Sequence, residues 1–188
     1  MPGNIVAAVF GLSTLLFVAV SFRRRPSGER VVQRAPASRV GIVLQGLAFG
    51  AVFSIRASRT GVFQGWGGSL VSACLALVLI AAAWALLIGA RRTLGPQWSL
   101  SARLVEGHQL IITGPYRFVR HPIYLGLLLL LVAAGLAETT PLVLAAATVV
   151  YLAGFFVRIQ AEEHLLREAF GEEWDAYRRR VPAIIPFT

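Results

Sequence analysis

Gly114-Pro115-Tyr116-Arg117-Phe118-Val119-Arg120-His121-Pro122-Ile123-Tyr124-Leu125-Gly126 sets two arginines, a histidine and two tyrosines directly against an apolar run, Leu125 to Ala137. Titratable groups beside a membrane-embedded segment are expensive unless they bind something, so the stretch reads as a site. A second polar cluster, Arg158, Glu162 and Glu163, follows the next apolar segment. Two apolar segments joined by a short link fold back as a hairpin, which returns both clusters to one membrane face. The competing reading is interfacial anchoring, with arginines snorkelling and tyrosines in the aromatic belt. Anchoring accounts for any one of these residues, but it needs neither His121-Pro122 nor a glutamate pair.

Working outward, the composition is that of a membrane protein. Of 188 residues, 56% are hydrophobic and only 14% charged, with mean hydropathy +0.69, against about a quarter charged in a soluble domain. Five apolar segments stand out, Asn4–Phe22, Val40–Ile55, Gly68–Ala90, Ile123–Ala137 and Pro141–Val157. The first and third reach the ~20 residues that span hydrocarbon as a helix. The expected fold is all-α, a polytopic membrane helical bundle with about five transmembrane helices and a cytoplasmic C-terminal cofactor pocket. Composition shifts after Ala90, dividing the chain into N-terminal spans (1–90) and a C-terminal region (91–188) that carries the polar clusters.

The net charge of +9 comes entirely from arginine. The arginines lie in loops between apolar spans, not interleaved with aromatics on a soluble face, so they read as topology signals and not as a nucleic-acid footprint. Six fall in Arg23–Arg39, five in Arg91–Pro122 and five in the tail from Arg158, against two in Arg56–Gly67. Sixteen against two predicts an external N-terminus and a cytoplasmic C-terminus in a plasma (inner) membrane. The first segment lacks a preceding positive residue and ends in a basic stop, Arg23-Arg24-Arg25, which is unlike a signal peptide.

Other features are weaker. Cys74, the single cysteine, reads as a small buried hydrophobe. The three histidines have no metal-ligand spacing, no metal is expected, and His164 belongs on a helix surface. The Gly61–Gly68 stretch follows no strand, so it is a poor dinucleotide loop, and Trp66 reads as an interfacial anchor. Gly41, Gly46 and Gly50 suit close helix packing. The Arg23–Arg39 segment reads as a surface loop, and Arg91–Glu106 as irregular, with Trp98 at the interface. Pro122 keeps His121 out of helical geometry and starts a helix whose free N–H groups favour an anionic ligand group. Leu166, Phe170, Trp174 and Tyr177 form one helical stripe continuing past the fifth span, weakened at Gly171. Arg158 and Glu162, four apart, share a helix face, where an intrahelical ion pair is the alternative to a functional role. Val181–Phe187 is a non-helical apolar tail suited to covering a pocket.

Gly114-Pro115-Tyr116 and Arg120-His121-Pro122-Ile123-Tyr124-Leu125-Gly126 resemble the signature of isoprenylcysteine carboxyl methyltransferases and related phospholipid methyltransferases. Glu162-Glu163, Phe170-Gly171-Glu172-Glu173-Trp174, Tyr177 and Val181-Pro182 resemble the C-terminal region of the same family. The likeness runs from His108 to Phe187. It implies an integral membrane enzyme using S-adenosylmethionine, with His108, Gln109, Leu110, Ile111, Tyr116, His121, Pro122, Ile123, Tyr124 and Glu162 lining the cofactor pocket. It also implies that Arg158 faces the methyl acceptor as the catalytic residue. The eukaryotic members are longer, with additional N-terminal helices, which leaves the acceptor open.

These residue types suit the chemistry. Glu162 matches the cofactor's ammonium, and His121 with the helix start matches its carboxylate. Methyl transfer to an anionic acceptor needs positioning and desolvation more than a general base. Arg158 is fitted to orient a carboxylate. The expected partners are membrane lipids and a lipophilic or lipid-attached acceptor, methylated on a carboxylate, and the oligomeric state is left open. Three alternatives remain: a phospholipid amine N-methyltransferase, an NADPH-dependent reductase of sterol-reductase type using Arg178–Arg180, and a non-enzymatic membrane scaffold.

Overall fold

The computed structural model describes residues 11–12, 31–54, 69–99, 103–105 and 107–184. The predicted first span and the Gly61–Gly68 stretch with Trp66 lie outside the described residues, apart from Gly11 and Leu12. The architecture is helical: α1 (Ser38–Ser54), α2 (Leu70–Leu94), α3 (Pro122–Glu138), α4 (Pro141–Phe170) and α5 (Glu172–Arg180). The second to fifth apolar segments thus each form a helix. Two short strands, β1 (Val31–Arg34) and β2 (Arg103–Val105), pair antiparallel.

Sequence determines the helix ends. The Ser69 hydroxyl caps α2 by accepting from Ser72 N at 3.0 Å, and Gly95, at φ 54°, ends it by turning its N–H back to Arg91 O. Thr140 caps α4 just before Pro141, whose missing N–H is harmless in the first turn. The Thr139–Thr140 link folds α3 and α4 into the expected hairpin.

Small residues bring the helices together. On α2, Ser72, Ala73, Ala76, Ile80, Ala83, Leu87 and Ala90 form a buried seam at helical spacing, packed against α3. A Cβ on Gly126 of α3 would sit 2.9 Å from Leu87 Cγ. α1 packs on α4 through Gly41 and Gly154, where a Cβ on Gly154 would lie 2.8 Å from Gly41 O. Among the described residues nothing lies within 4 Å of a Cβ at Gly46 or Gly50, whereas Gly41 has the expected packing role.

α2 and α4 are long and apolar enough to cross a membrane, while α1 and α3 are shorter apolar helices. Val40, Val43, Leu47, Val71, Val78, Leu142, Val149 and Phe156 are exposed on the outer faces of α1, α2 and α4. Apolar residues presented outward around a small-residue interior mark an integral membrane protein. Cys74 lies on this outer surface, contrary to its expected burial. At 1.5 Å per residue, the 30 residues of α4 reach about 45 Å, beyond a hydrocarbon core of ~30 Å. The helix is therefore longer than a perpendicular crossing of the apolar layer needs.

Three local expectations are corrected. The segment read as a surface loop contains β1 and the start of α1. The stretch read as irregular holds the end of α2, a 3-10 turn at Gly95–Gln97, and β2. The stripe from Leu166 to Tyr177 is not one helix, because Gly171, at φ 49°, ends α4 and turns the chain into α5. The left-handed region is open to glycine without a Cβ penalty, so the break falls there.

Candidate functional site

Pro122 occupies the first turn of α3, with His121 just before it at φ −124°, ψ 60°, outside helical geometry as the sequence predicts. The C-terminal segment meets this start. Arg120 N donates to Pro182 O at 2.8 Å and His121 N to Ala183 O at 3.0 Å. The two amides just before α3 are thus taken by the chain's own tail, an occupant invisible to local pattern reading.

Glu163 ties these segments together. Its Oε1 accepts from Arg120 Nε at 3.0 Å and lies 2.9 Å from Arg120 Nη2 and 3.1 Å from His121 Nε2. Its Oε2 lies 3.5 Å from Arg178 Nε. Arg120 Nη1 also donates to the carbonyls of Arg178 and Val181. The remaining nitrogen of His121, Nδ1, is 3.8 Å from Glu162 Oε2. With carboxylates facing both ring nitrogens, His121 is poorly placed to hold a ligand carboxylate, the role expected of it.

Glu162 and Arg158 stand one helical turn apart on α4, Nη2 to Oε1 3.9 Å, too long for a tight ion pair. The Tyr124 hydroxyl donates to Glu162, and the Tyr124 backbone carbonyl accepts from Tyr151 Oη at 2.7 Å. Arg158, 4% exposed, lies with Cζ 4.7 Å over the Tyr124 ring and donates from Nη1 to Gln45 Oε1 at 3.1 Å. The His121 ring stacks on Tyr124, centroids 5.6 Å apart, and meets the edge of Phe155.

The other wall is built before α3. Gln109 N donates to Gln97 Oε1 at 2.7 Å, tying the non-helical 108–111 stretch to the turn after α2. The Tyr177 hydroxyl donates to Tyr116 O at 2.6 Å and holds α5 to the turn at Gly114–Arg117. Burial pushes both the Tyr116 and Tyr177 phenols well above their ordinary range, so both stay neutral.

These walls enclose a cavity of about 160 Å³. Arg158 and all ten residues expected around the cofactor (His108, Gln109, Leu110, Ile111, Tyr116, His121, Pro122, Ile123, Tyr124 and Glu162) line it. Sequence reading missed several others. Trp98, expected at the interface, is buried in the wall with the Arg91 guanidinium 4.5 Å over its ring. Ser99 also lines the cavity, and neither residue carried a local signal. Trp174 and Tyr177 line it too; their place in the apolar stripe was the available clue. Trp174 Nε1 and Ser99 Oγ are buried with no hydrogen-bond partner among the described residues, as polar groups awaiting a ligand would be. Away from the cavity, His164 is exposed and pairs with Glu168 at 3.3 Å. Among the described residues no group of three or more His, Cys, Asp or Glu is placed to hold a metal ion.

Fold and site together define an integral membrane helical bundle with a largely apolar cavity, carrying a few charged side chains, between the start of α3 and the C-terminal half of α4. The chain belongs to the isoprenylcysteine carboxyl methyltransferase (ICMT) family, which matches residues 74–168. Protein-S-isoprenylcysteine O-methyltransferase B of Arabidopsis thaliana is 36% identical over 88 residues, covering 47% of this chain and 45% of the relative. Methanethiol S-methyltransferase 1 of Bradyrhizobium diazoefficiens is 43% identical over 72 residues, covering 38% of this chain and 24% of the relative. The matches thus span less than half the length of these relatives. In fold, the chain is similar over its whole length to 68% of the eukaryotic intramembrane Ras methyltransferase ICMT, with TM-score 0.62 and 22% identity.

Proposed function

We propose that this chain is an integral membrane methyltransferase that uses S-adenosylmethionine to methylate a lipophilic or lipid-attached acceptor on a carboxylate. The observation that carries the reading is the placement of Glu162 and Arg158, opposite charges one turn apart, in the wall of one cavity with Tyr124 between them.

The donor set fits the cofactor. Glu162, a quarter exposed, offers a carboxylate for the ammonium. Tyr116, Tyr124 and Trp174 offer aromatic faces, favourable beside a sulfonium. The buried Trp174 Nε1 and Ser99 Oγ remain for polar atoms of the ligand. When bound, S-adenosylmethionine supplies an electrophilic methyl group on positively charged sulfur. The protein's share is positioning. Arg158 orients an anionic acceptor, and a carboxylate nucleophile is already deprotonated, so no general base is required. His121 and Glu163 hold the wall instead of reacting. We place the cavity on the cytoplasmic side of a plasma (inner) membrane from the arginine bias.

Two alternatives fit less well. Arg178, Arg179 and Arg180 are exposed and absent from the cavity lining, so they do not serve a 2′-phosphate of NADPH there. An amine acceptor would gain nothing from the fixed cation Arg158. Calorimetric titration of the purified protein should show binding of S-adenosylmethionine and none of NADPH; the reverse overturns the methyltransferase reading. In turnover assays with a prenylcysteine-like carboxylate, Arg158→Lys should keep cofactor affinity and lose most activity, since lysine lacks the planar fork. Robust methylation of phosphatidylethanolamine, insensitive to Arg158, would overturn the carboxylate assignment alone.

A further inference from the structure

Gln45 lies in the middle of α1, amid the apolar run 40–53, and is only 6% exposed. A buried amide at that depth is unfavourable unless its groups are used. The close approach of α1 to α4 at Gly41 and Gly154 sets it beside Arg158: a Cβ on Gly154 would lie 3.2 Å from Gln45 Cγ, and one on Gly41 would run into the Arg158 side chain. Gln45 Oε1 accepts from Arg158 Nη1 at 3.1 Å, while Gln45 Nε2 is buried with no hydrogen-bond partner among the described residues.

We infer that Gln45 is a positioning residue that sets the acceptor class: its amide oxygen orients the Arg158 guanidinium for an anionic acceptor without neutralising it. The physical reason lies in the choice of amide. An aspartate or glutamate there would hold the arginine equally well but cancel its charge, making it inert toward a carboxylate. An apolar residue would take away the oxygen that Arg158 Nη1 donates to, leaving less to hold the guanidinium against the pull of Glu162, 3.9 Å away on the same helix. A neutral acceptor of hydrogen bonds does neither, so Arg158 stays both fixed and cationic. A carboxylate, not a neutral thiol or an amine, is the group this pair recognises.

The inference rests on the reading of Arg158 as the acceptor-facing residue, and direct binding tests it apart from turnover. The probes are N-acetyl-S-farnesylcysteine and its methyl ester, identical but for the charge, titrated calorimetrically into the detergent-solubilised full chain, with S-adenosylmethionine titrated in parallel. Wild type should prefer the carboxylate over the ester by at least about tenfold, the range of a charged hydrogen bond. Gln45→Met should erase most of that preference and leave S-adenosylmethionine affinity unchanged. Gln45→Glu, which keeps an oxygen for Arg158 and protects the fold, should erase it as well. Equal binding of acid and ester by wild type overturns the inference, as does a wild-type preference retained in Gln45→Glu. Parallel loss of carboxylate, ester and S-adenosylmethionine binding in both variants makes Gln45 merely structural and also overturns it. Selective carboxylate binding by a wild type that ignores S-adenosylmethionine upholds this inference and sinks the methyl-transfer reading.

Discussion

Glu162 and Glu163 are adjacent in sequence yet do different things, and that difference is the sharpest feature at the scale of single residues. Glu163 is spent on Arg120, His121 and Arg178, whereas Glu162 takes the Tyr124 hydroxyl and faces the cavity. Their substitutions should separate accordingly. Glu163→Gln removes the charge that two largely buried cations or donors lean on, and should lower stability by about 2–3 kcal/mol, read from thermal unfolding in detergent. Glu162→Gln should leave the melting temperature near wild type and weaken S-adenosylmethionine roughly ten- to hundredfold. The opposite pairing of effects would exchange the two assignments. The resemblance assigned Glu162 to the cofactor but left Glu163 without a role, because a helix presents successive residues about 100° apart and only the packed neighbours decide what each one meets.

Among elements, the α1–α4 and α2–α3 seams fix the cavity wall, and both depend on missing side chains. Gly154→Ala should destabilise by about 1–3 kcal/mol, since its Cβ would meet Gly41 O and Leu44 Cβ within 2.9 Å. Gly126→Ala should act similarly against Leu87. Gly46→Ala, with nothing within 4 Å among the described residues, should be neutral or slightly stabilising, as alanine favours the helix by up to about 1 kcal/mol. A helical sequence shows glycines at packing intervals but not which of them another backbone approaches. The same limitation explains Gly171: the stripe through Leu166, Phe170, Trp174 and Tyr177 marks one apolar face, yet the chain turns at its centre.

For the whole molecule, the cavity's side of the membrane is the property to test. Reporter fusions after Arg92 should read cytoplasmic and after Gly61 external, following the arginine bias; the reverse at both positions would place the site on the far side.

The sequence by itself determined the helical membrane architecture, because hydropathy and segment length are properties of contiguous residues. It also determined the hairpin that reunites the two polar clusters, since a two-residue link between helices leaves little alternative. His121 before Pro122, and Arg158 one turn from Glu162, were equally legible from local spacing. Tertiary structure alone decided what those residues touch. The carbonyls of Pro182 and Ala183 accept from the amides of Arg120 and His121 just before α3, Trp98 joins the wall, and Gln45, 113 residues from Arg158, accepts from its guanidinium. Such contacts join residues with no periodic relation, so their energy appears only once the helices have packed.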